Sequence, residues 1–379
     1  MKQLAVVHPE FEVANPASKF AVNFFGEPVN FVLDDCFPEK ENIVLGDYEV
    51  LVRKKGFSLN YRDLNFIMKA SRYFISDNCK TAYLPIGSEF VGEVEQTGRL
   101  VNGLQKGDRV IPNWNYEEIR LLKKRKPGLA AGVASNSTSK EKEILHYRKL
   151  YKIPETFPLE VAAGFSIGAQ TGMSMLRKAK LNSQSTLLVT GGSSNTSLFV
   201  LKMLPNFKYK HVYVLTSSEQ KARQLEKLNI KNATILVNTK PKDEDIDLSI
   251  IKTLNNNIDA IIDPFCNIYL KKLYYLLKFN GRYVTCGIEN NTLYNTPDID
   301  TETMQLPENL LVHFIMNNIS FTGNCLGTTR DLGKAVDLYL NDKLSLSNYQ
   351  SLSYKNGPEF LEMSYNDANR LGKVVCMYE

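Results

Sequence analysis

The hydrophobic positions change rhythm near the middle of the chain. From Ser185 onward, short apolar runs recur, and most are separated by segments with helical spacing. Strands are predicted at 186–189, 212–215, 234–237, 259–262, 282–286 and 319–322, with a last helix at 331–340. Strands that alternate with helices imply a parallel sheet covered by helices on both faces. The stretch 185–222 organises this half. Its apolar run of Leu187, Leu188 and Val189 stops at a turn of small residues, 190–197. A helical pattern follows (Leu198, Phe199, Leu201, Met203, Leu204), and then a second apolar run that ends in Thr216, Ser217 and Ser218.

Strand, tight turn, helix and strand form the opening of a doubly wound sheet that binds a dinucleotide, with the pyrophosphate at the turn and the helix N-terminus. A G-x-G-x-x-G pattern is not matched. The turn has Gly191, Gly192, Ser193, Ser194, Asn195 and Thr196. Small polar residues let backbone N–H groups reach a phosphate, and their hydroxyls add donors. A plain strand-to-helix turn with a Ser or Asn cap and no ligand fits the same residues.

The first half reads differently. Strand-like runs at 31–33, 49–52 and 90–94, with Gly and Pro turns between them, predict a β-rich and partly barrel-like domain. Residues 64–72 have helical character, as do 159–166 and about 169–178, whereas 113–145 is polar and reads as a long irregular lobe. The tail returns to β character at 373–377. We expect a β-rich domain over 1–154 and 345–379, with a dinucleotide-binding domain over 155–344.

Composition changes this picture little. The 379 residues suit about two domains, and 43% hydrophobic with 23% charged is ordinary for a globular protein. The net charge of +5 is scattered apart from RLLKKRK at 120–126, which a solvated face explains more readily than nucleic acid does. The six cysteines lie far apart, without a C-x-x-C pair, and suggest neither a zinc cluster nor a disulfide framework. With no signal-like N-terminus and no run of about 18 apolar residues, the expectation is a cytoplasmic protein with neither membrane nor nucleic-acid partners.

Nine stretches in order carry a resemblance: SLNYRD (58–63), LPIGSEFVGEV (84–94), GLQKGDRVIP (103–112), KIPETFPLEVAA (152–163), AQTGMSML (169–176), LLVTGGSSN (187–195), IDAIIDPF (258–265), GRYVTCG (281–287) and GKVV (372–375). The chain resembles the medium-chain dehydrogenase/reductase superfamily. The resemblance implies an α/β fold: a doubly wound parallel Rossmann sheet inserted in a β-rich, GroES-like catalytic domain. Where the zinc-dependent branch has a Cys ligand, this chain has Asn60, Tyr61, Arg62 and Asp63. Where that branch has Gly-His-Glu, this chain has Gly87, Ser88 and Glu89. Residues 80–265 contain no cysteine, so the structural zinc lobe has no counterpart, and both metal sites are expected to be absent. The N-Y-x-D pattern is similar to the zinc-independent quinone and enoyl reductase branch.

That branch implies hydride addition to an activated C=C bond, with NADPH as cofactor. Tyr61 is the expected proton or hydrogen-bond donor, with packing under the cofactor as its alternative role, and Ser88 is the next catalytic candidate. Asn60, Thr171, the turn residues Gly191–Thr196 and Gly287 are expected at the cofactor. Asp63 and Arg62 are expected either to pair with each other or to serve the site. At the end of the second strand, Thr216, Ser217, Ser218 and Lys221 stand where an NAD site wants an acid, which favours a 2′-phosphate; an exposed helical Lys is the alternative. Expected substrates are an enone, a quinone or a dehydroamino acid, such as dehydroalanine in a lanthipeptide precursor whose acidic leader meets RLLKKRK. A homodimer is the expected assembly. The alternatives are a zinc-type alcohol dehydrogenase with atypical ligands and a non-enzymatic NADPH-binding protein.

Overall fold

A computed structural model of the chain describes residues 2–34, 43–114, 137–242, 244–288, 308–346 and 349–378. It divides into two compact units, Met1–Ile167 with Leu346–Glu379, and Gly168–Ser345. The first division thus falls at Ile167 rather than at 154. The short helix Leu159–Ala162 packs on strands of the first unit, which accounts for the later position.

The first unit is β-rich. In its seven-stranded sheet, six strands run in the order Tyr349–Ser353, Lys373–Met377, Glu49–Ser58, Glu89–Thr97, Arg109–Pro112 and Leu150–Lys152. Strand Lys142–His146 joins off this path. Glu49–Ser58 anchors the sheet because its ten residues accept different partners along their length. Its N-terminal half pairs with Lys142–His146, and its C-terminal half pairs with the returning tail, Ser58 opposite Val375. A four-stranded sheet, in the order Lys19–Phe24, Glu27–Asp34, Gln3–Val7 and Tyr83–Pro85, completes the unit. One cluster that includes Leu4, Phe31, Phe57, Ile67, Phe90 and Phe360 fills the core, and each such buried side chain contributes roughly 1.5–3 kcal/mol.

Strand Lys142–His146 corrects the irregular reading of 113–145. Its charges conceal the pattern because they are paired across the sheet: Lys54 with Glu143 at 2.5 Å and Lys142 with Glu95 at 3.5 Å. The cluster at 120–126 lies outside the described residues.

Helix Tyr61–Ser76 starts earlier than its apolar pattern suggested. Asn60 is its N-cap, and the Asp63 carboxylate accepts from the Asn60 N–H at 2.7 Å. That reciprocal bond satisfies an orphan donor of the first turn. In contrast, the helix expected over 159–166 stops at Ala162. Gly164 follows, and a Cβ there would lie 2.7 Å from the Lys373 Cγ.

The second unit is a six-stranded parallel sheet in the order Ala233–Val237, His211–Thr216, Thr186–Val189, Ile258–Asp263, Leu277–Thr285 and Ser320–Gly323. All six predicted strands are present. Numbered along the chain, this order is 3-2-1-4-5-6, the doubly wound dinucleotide-binding arrangement. Strand order reverses between Thr186–Val189 and Ile258–Asp263. The turn at 190–194 leaves the carboxyl end of the first of these two strands, at the switch point where such sheets take their ligands.

Candidate active site

In the second unit the turn after Val189 is held from beneath. The Thr190 hydroxyl donates to Asp263 at 2.6 Å, and the same carboxylate accepts from the Tyr283 hydroxyl at 2.5 Å and the Phe265 N–H at 2.8 Å. Burial pushes the Asp263 carboxyl up, against these donors, and with Asp263 beside it pushes the Tyr283 phenol well above its ordinary value. Ser197 donates to the Thr190 carbonyl at 2.8 Å. Ser194 is the N-cap of helix Asn195–Met203, its hydroxyl accepting from the Ser197 N–H. Gly191 has φ +52°, and a Cβ there would come within 2.6 Å of the Phe265 ring. The Gly192 N–H donates to the Leu215 carbonyl at 2.9 Å, and Gly287 accepts from the Cys266 N–H at 3.0 Å. A Cβ would also lie 2.5 Å from the Val214 Cγ1 at Gly192 and 2.7 Å from the Pro264 carbonyl oxygen at Gly287, so close packing calls for all three glycines whether or not a phosphate is bound.

Among the described residues, the buried polar atoms without a partner at this end of the sheet include the Asn195 Nδ2 and the Thr216 Oγ1. Unpaired buried groups of this kind cost about 1–3 kcal/mol, and a polar cofactor would relieve that cost. Ser193 and Thr196 are half-buried in the same turn, Thr171 is buried on helix Ser166–Ala179, and Ser217 is exposed. The Ser218 hydroxyl is used as a cap, accepting from the Lys221 N–H at 3.3 Å. Glu219 falls in the first turn of helix Glu219–Glu226. No acid therefore stands at the end of the second strand itself, and the residues fit a dinucleotide. Burial pushes the Cys266 thiol up to about 11 and the Cys286 thiol up to about 12, so both stay protonated at neutral pH.

In the first unit, strand register builds a buried polar cluster. Ser58 faces Glu89 on one side and Val375 on the other. Lys373 is two residues from Val375 and thus shares its face of the pleat. The Lys373 ammonium lies 2.9 Å from the Glu89 Oε2, both side chains being buried, and donates to the Asn60 Oδ1 at 2.7 Å. The Asn60 Nδ2 donates to the Ser88 Oγ at 3.1 Å, and Ser88 donates to the Asp63 Oδ2 at 2.6 Å. Glu89 also accepts from the Ser58 hydroxyl at 2.9 Å and from the Ile167 N–H. Burial pushes the Lys373 ammonium down, against the pull of Glu89. It pushes the Asp63 carboxyl up, against Arg62, Ser88 and the Asn60 N–H.

These contacts place the predicted residues. Asn60, Tyr61 and Ser88 come together at the start of helix Tyr61–Ser76. Ser88 is fully buried and its proton is given to Asp63. Tyr61 is 38% exposed, so its phenol is reachable. Arg62 meets Asp63 at 3.3 Å, a longer contact than those from Ser88 and the Asn60 N–H. Lys373 was not singled out from the sequence. Its only signal there is a cation opening an otherwise apolar strand. Among the described residues no three His, Cys, Asp or Glu side chains converge as a metal site, and an ammonium stands between Asn60 and Glu89.

A doubly wound dinucleotide sheet inserted in a β-rich unit that carries a buried polar site defines an oxidoreductase. Residues 46–155 match the alcohol dehydrogenase GroES-like domain. An acryloyl-coenzyme A reductase of Sulfurisphaera tokodaii is 24% identical over 87% of this chain and 92% of its own. Quinone oxidoreductase-like protein 2 of Mus musculus is 27% identical over 47% of this chain and 44% of its own. A thermostable alcohol dehydrogenase from Pyrobaculum aerophilum shares the fold with a TM-score of 0.69 at 20% identity, covering 99% of each chain. Over most of its length the chain is therefore similar to oxidoreductases of the medium-chain dehydrogenase/reductase type.

Proposed function

We propose that the protein uses NADPH to reduce an activated C=C bond, and does so without zinc. The observation that carries this reading is the donor set of the first-unit site: Asn60, Ser88 and a Lys373 ammonium, with Glu89 already engaged by that ammonium. Such a set offers no thiolate or imidazole to a metal, and an α,β-unsaturated acceptor needs less activation than an alcohol or simple carbonyl does. The acryloyl-coenzyme A reductases among the relatives act, by name, on a substrate of this kind. Candidate substrates are enoyl thioesters, enones, quinones and dehydroamino acids, dehydroalanine within a peptide included.

NADPH, when bound, supplies the hydride. Asn195 and Thr216 would meet it at the carboxyl end of the sheet, with Ser193, Ser194 and Thr196 at the turn. Thr171, Gly191, Gly192 and Gly287 complete the cofactor set. Ser217, Ser218 and Lys221 would take the 2′-phosphate. The Tyr61 phenol donates a hydrogen bond or a proton as charge develops on the substrate. Absorbance assays of NADPH and NADH oxidation against a panel of these substrates test the reading. No turnover with any of them would leave a non-enzymatic binding protein as the better account.

Lys221→Glu should weaken NADPH by about tenfold or more, since a charge-assisted phosphate contact is worth roughly 1.5–3 kcal/mol, while NADH affinity changes little. Equal weakening of both cofactors would remove Lys221 from the 2′-phosphate. Protein dialysed against a chelator should keep full activity; restoration of a lost activity by zinc would refute the metal-free reading.

The proposed assembly is a homodimer. Among the described residues, strand Ser320–Gly323 is the last of its sheet, and Leu311, Val312, Ile315 and Met316 on helix Glu308–Met316 are exposed. An exposed apolar face beside a terminal strand of the sheet suits a second copy of the chain. Light scattering should report a dimer, and Ile315→Asp should shift it to monomer. A monomeric unmutated protein would rule the dimer out. Among the described residues no helix is long and apolar enough to cross a membrane.

A further inference from the structure

The buried hydrogen bonds around Lys373 all run one way. Lys373 has three N–H donors and no acceptor. It gives one to the Asn60 Oδ1, which fixes that atom as the amide oxygen. The opposite end of the same amide must then donate, and it does so to Ser88 at 3.1 Å. Ser88 in turn donates its only hydroxyl hydrogen bond to Asp63 at 2.6 Å. Reversing the Asn60 amide would place an NH₂ group against an ammonium and an oxygen against a hydroxyl whose proton is already committed. The cation therefore selects one of two otherwise similar amide orientations.

The backbone of Asn60 is held as firmly. Its N–H donates to Asp63 at 2.7 Å, and its carbonyl accepts from the Tyr365 hydroxyl at 3.1 Å. Tyr61 is the next residue and the first of the helix. Every bond that fixes Asn60 thus fixes the point from which the Tyr61 side chain departs. Glu89 holds Lys373 in place, and Gly164 leaves room for the Lys373 stem, since a Cβ there would lie 2.7 Å from its Cγ.

We propose that Lys373 is a positioning residue: its ammonium locks the Asn60 side-chain amide, and through Asn60 it sets the placement of Tyr61. The proposal rests on the reductase reading for its kinetic consequence, but not for the lock itself. The test uses Lys373→Met combined with Glu89→Gln, which keeps the volumes, removes both charges together and avoids leaving an unpaired buried carboxylate. With selective ¹⁵N labelling of asparagine, the Asn60 side-chain amide is assigned by its loss in Asn60→Asp. Its protons should exchange at least about tenfold faster in the double variant. With a reducible alkene, kcat should fall about 10- to 10²-fold, the scale expected of a misplaced catalytic group, while KM and NADPH affinity stay within about threefold. Lys373→Arg, which keeps a cation and its donors, should restore most of the loss.

Unchanged amide exchange in the double variant would overturn the lock. Unchanged kcat would reduce Lys373 to a structural ion pair, and a loss of NADPH affinity large enough to explain the lost activity would make it a cofactor contact. Failure of the unmutated protein to reduce any alkene would sink the proposed function and leave the amide exchange to decide the lock. Should the double variant not fold, Lys373→Arg decides alone: slow Asn60 exchange with most of kcat kept upholds the lock, fast exchange with kcat kept overturns it, and slow exchange with kcat lost overturns the link from Asn60 to Tyr61.

Discussion

Tyr61→Phe is expected to lower kcat by about 10²–10⁴-fold, the range contributed by general acid–base catalysis. Hydride addition to an activated double bond builds negative charge on the carbonyl oxygen or the α-carbon. A phenol helps most when that charge is present, so its loss appears in kcat more than in KM. Phenylalanine keeps the ring and its packing and deletes only the hydroxyl. Tyr61 is 38% exposed at the start of its helix, so the substitution leaves the core untouched. Single-turnover assays with NADPH separate the chemical step from binding. A wild-type rate with normal NADPH affinity would remove Tyr61 from the mechanism. Ser88 would not simply replace it, because its proton is already given to Asp63 in a fully buried site.

The dinucleotide half was readable because central parallel strands are apolar on both faces. Runs such as 186–189 and 259–262 stand out against any helical alternative, and all six strands are found. The turn was readable as small and polar. What could not be read is that much of its chemistry is internal: Ser194 and Ser218 cap helices, and Thr190 binds Asp263. A hydroxyl near a helix start serves cap and ligand equally well in a sequence. Only geometry separates the capped Ser218 from Thr216, whose Oγ1 is buried without a partner among the described residues.

The catalytic half was readable at Asn60, Tyr61 and Ser88, where residues replace expected ligands, and not at Lys373. A lysine before Val374, Val375 and Cys376 looks like the solvated end of a strand. Its burial depends on pairings across more than 300 residues, which bring the tail beside Ser58 and hence beside Glu89. Strand Lys142–His146 escaped notice for the same reason. Its charges find partners on other strands, so no apolar alternation was needed to hold it in the sheet.

Glu89→Leu carries the largest expected cost in stability. It removes the acceptor of the Lys373 ammonium, the Ser58 hydroxyl and the Ile167 N–H together. A cation left buried without its partner costs about 3–5 kcal/mol, whereas replacing both charges at once is often nearly neutral. The first unit should therefore lose about 10 °C in Tm at the sensitivity usual for its size. Adding Lys373→Met to Glu89→Leu should recover most of that loss. The measurement must isolate one unit, because a chain of two units need not unfold in a single step. The only tryptophan, Trp114, is buried in the first unit, and its fluorescence reports that unit alone. A Glu89→Leu transition within about 2 °C of wild type by Trp114 fluorescence would mean that Lys373 finds water or another acceptor, and that the pair contributes little to the fold.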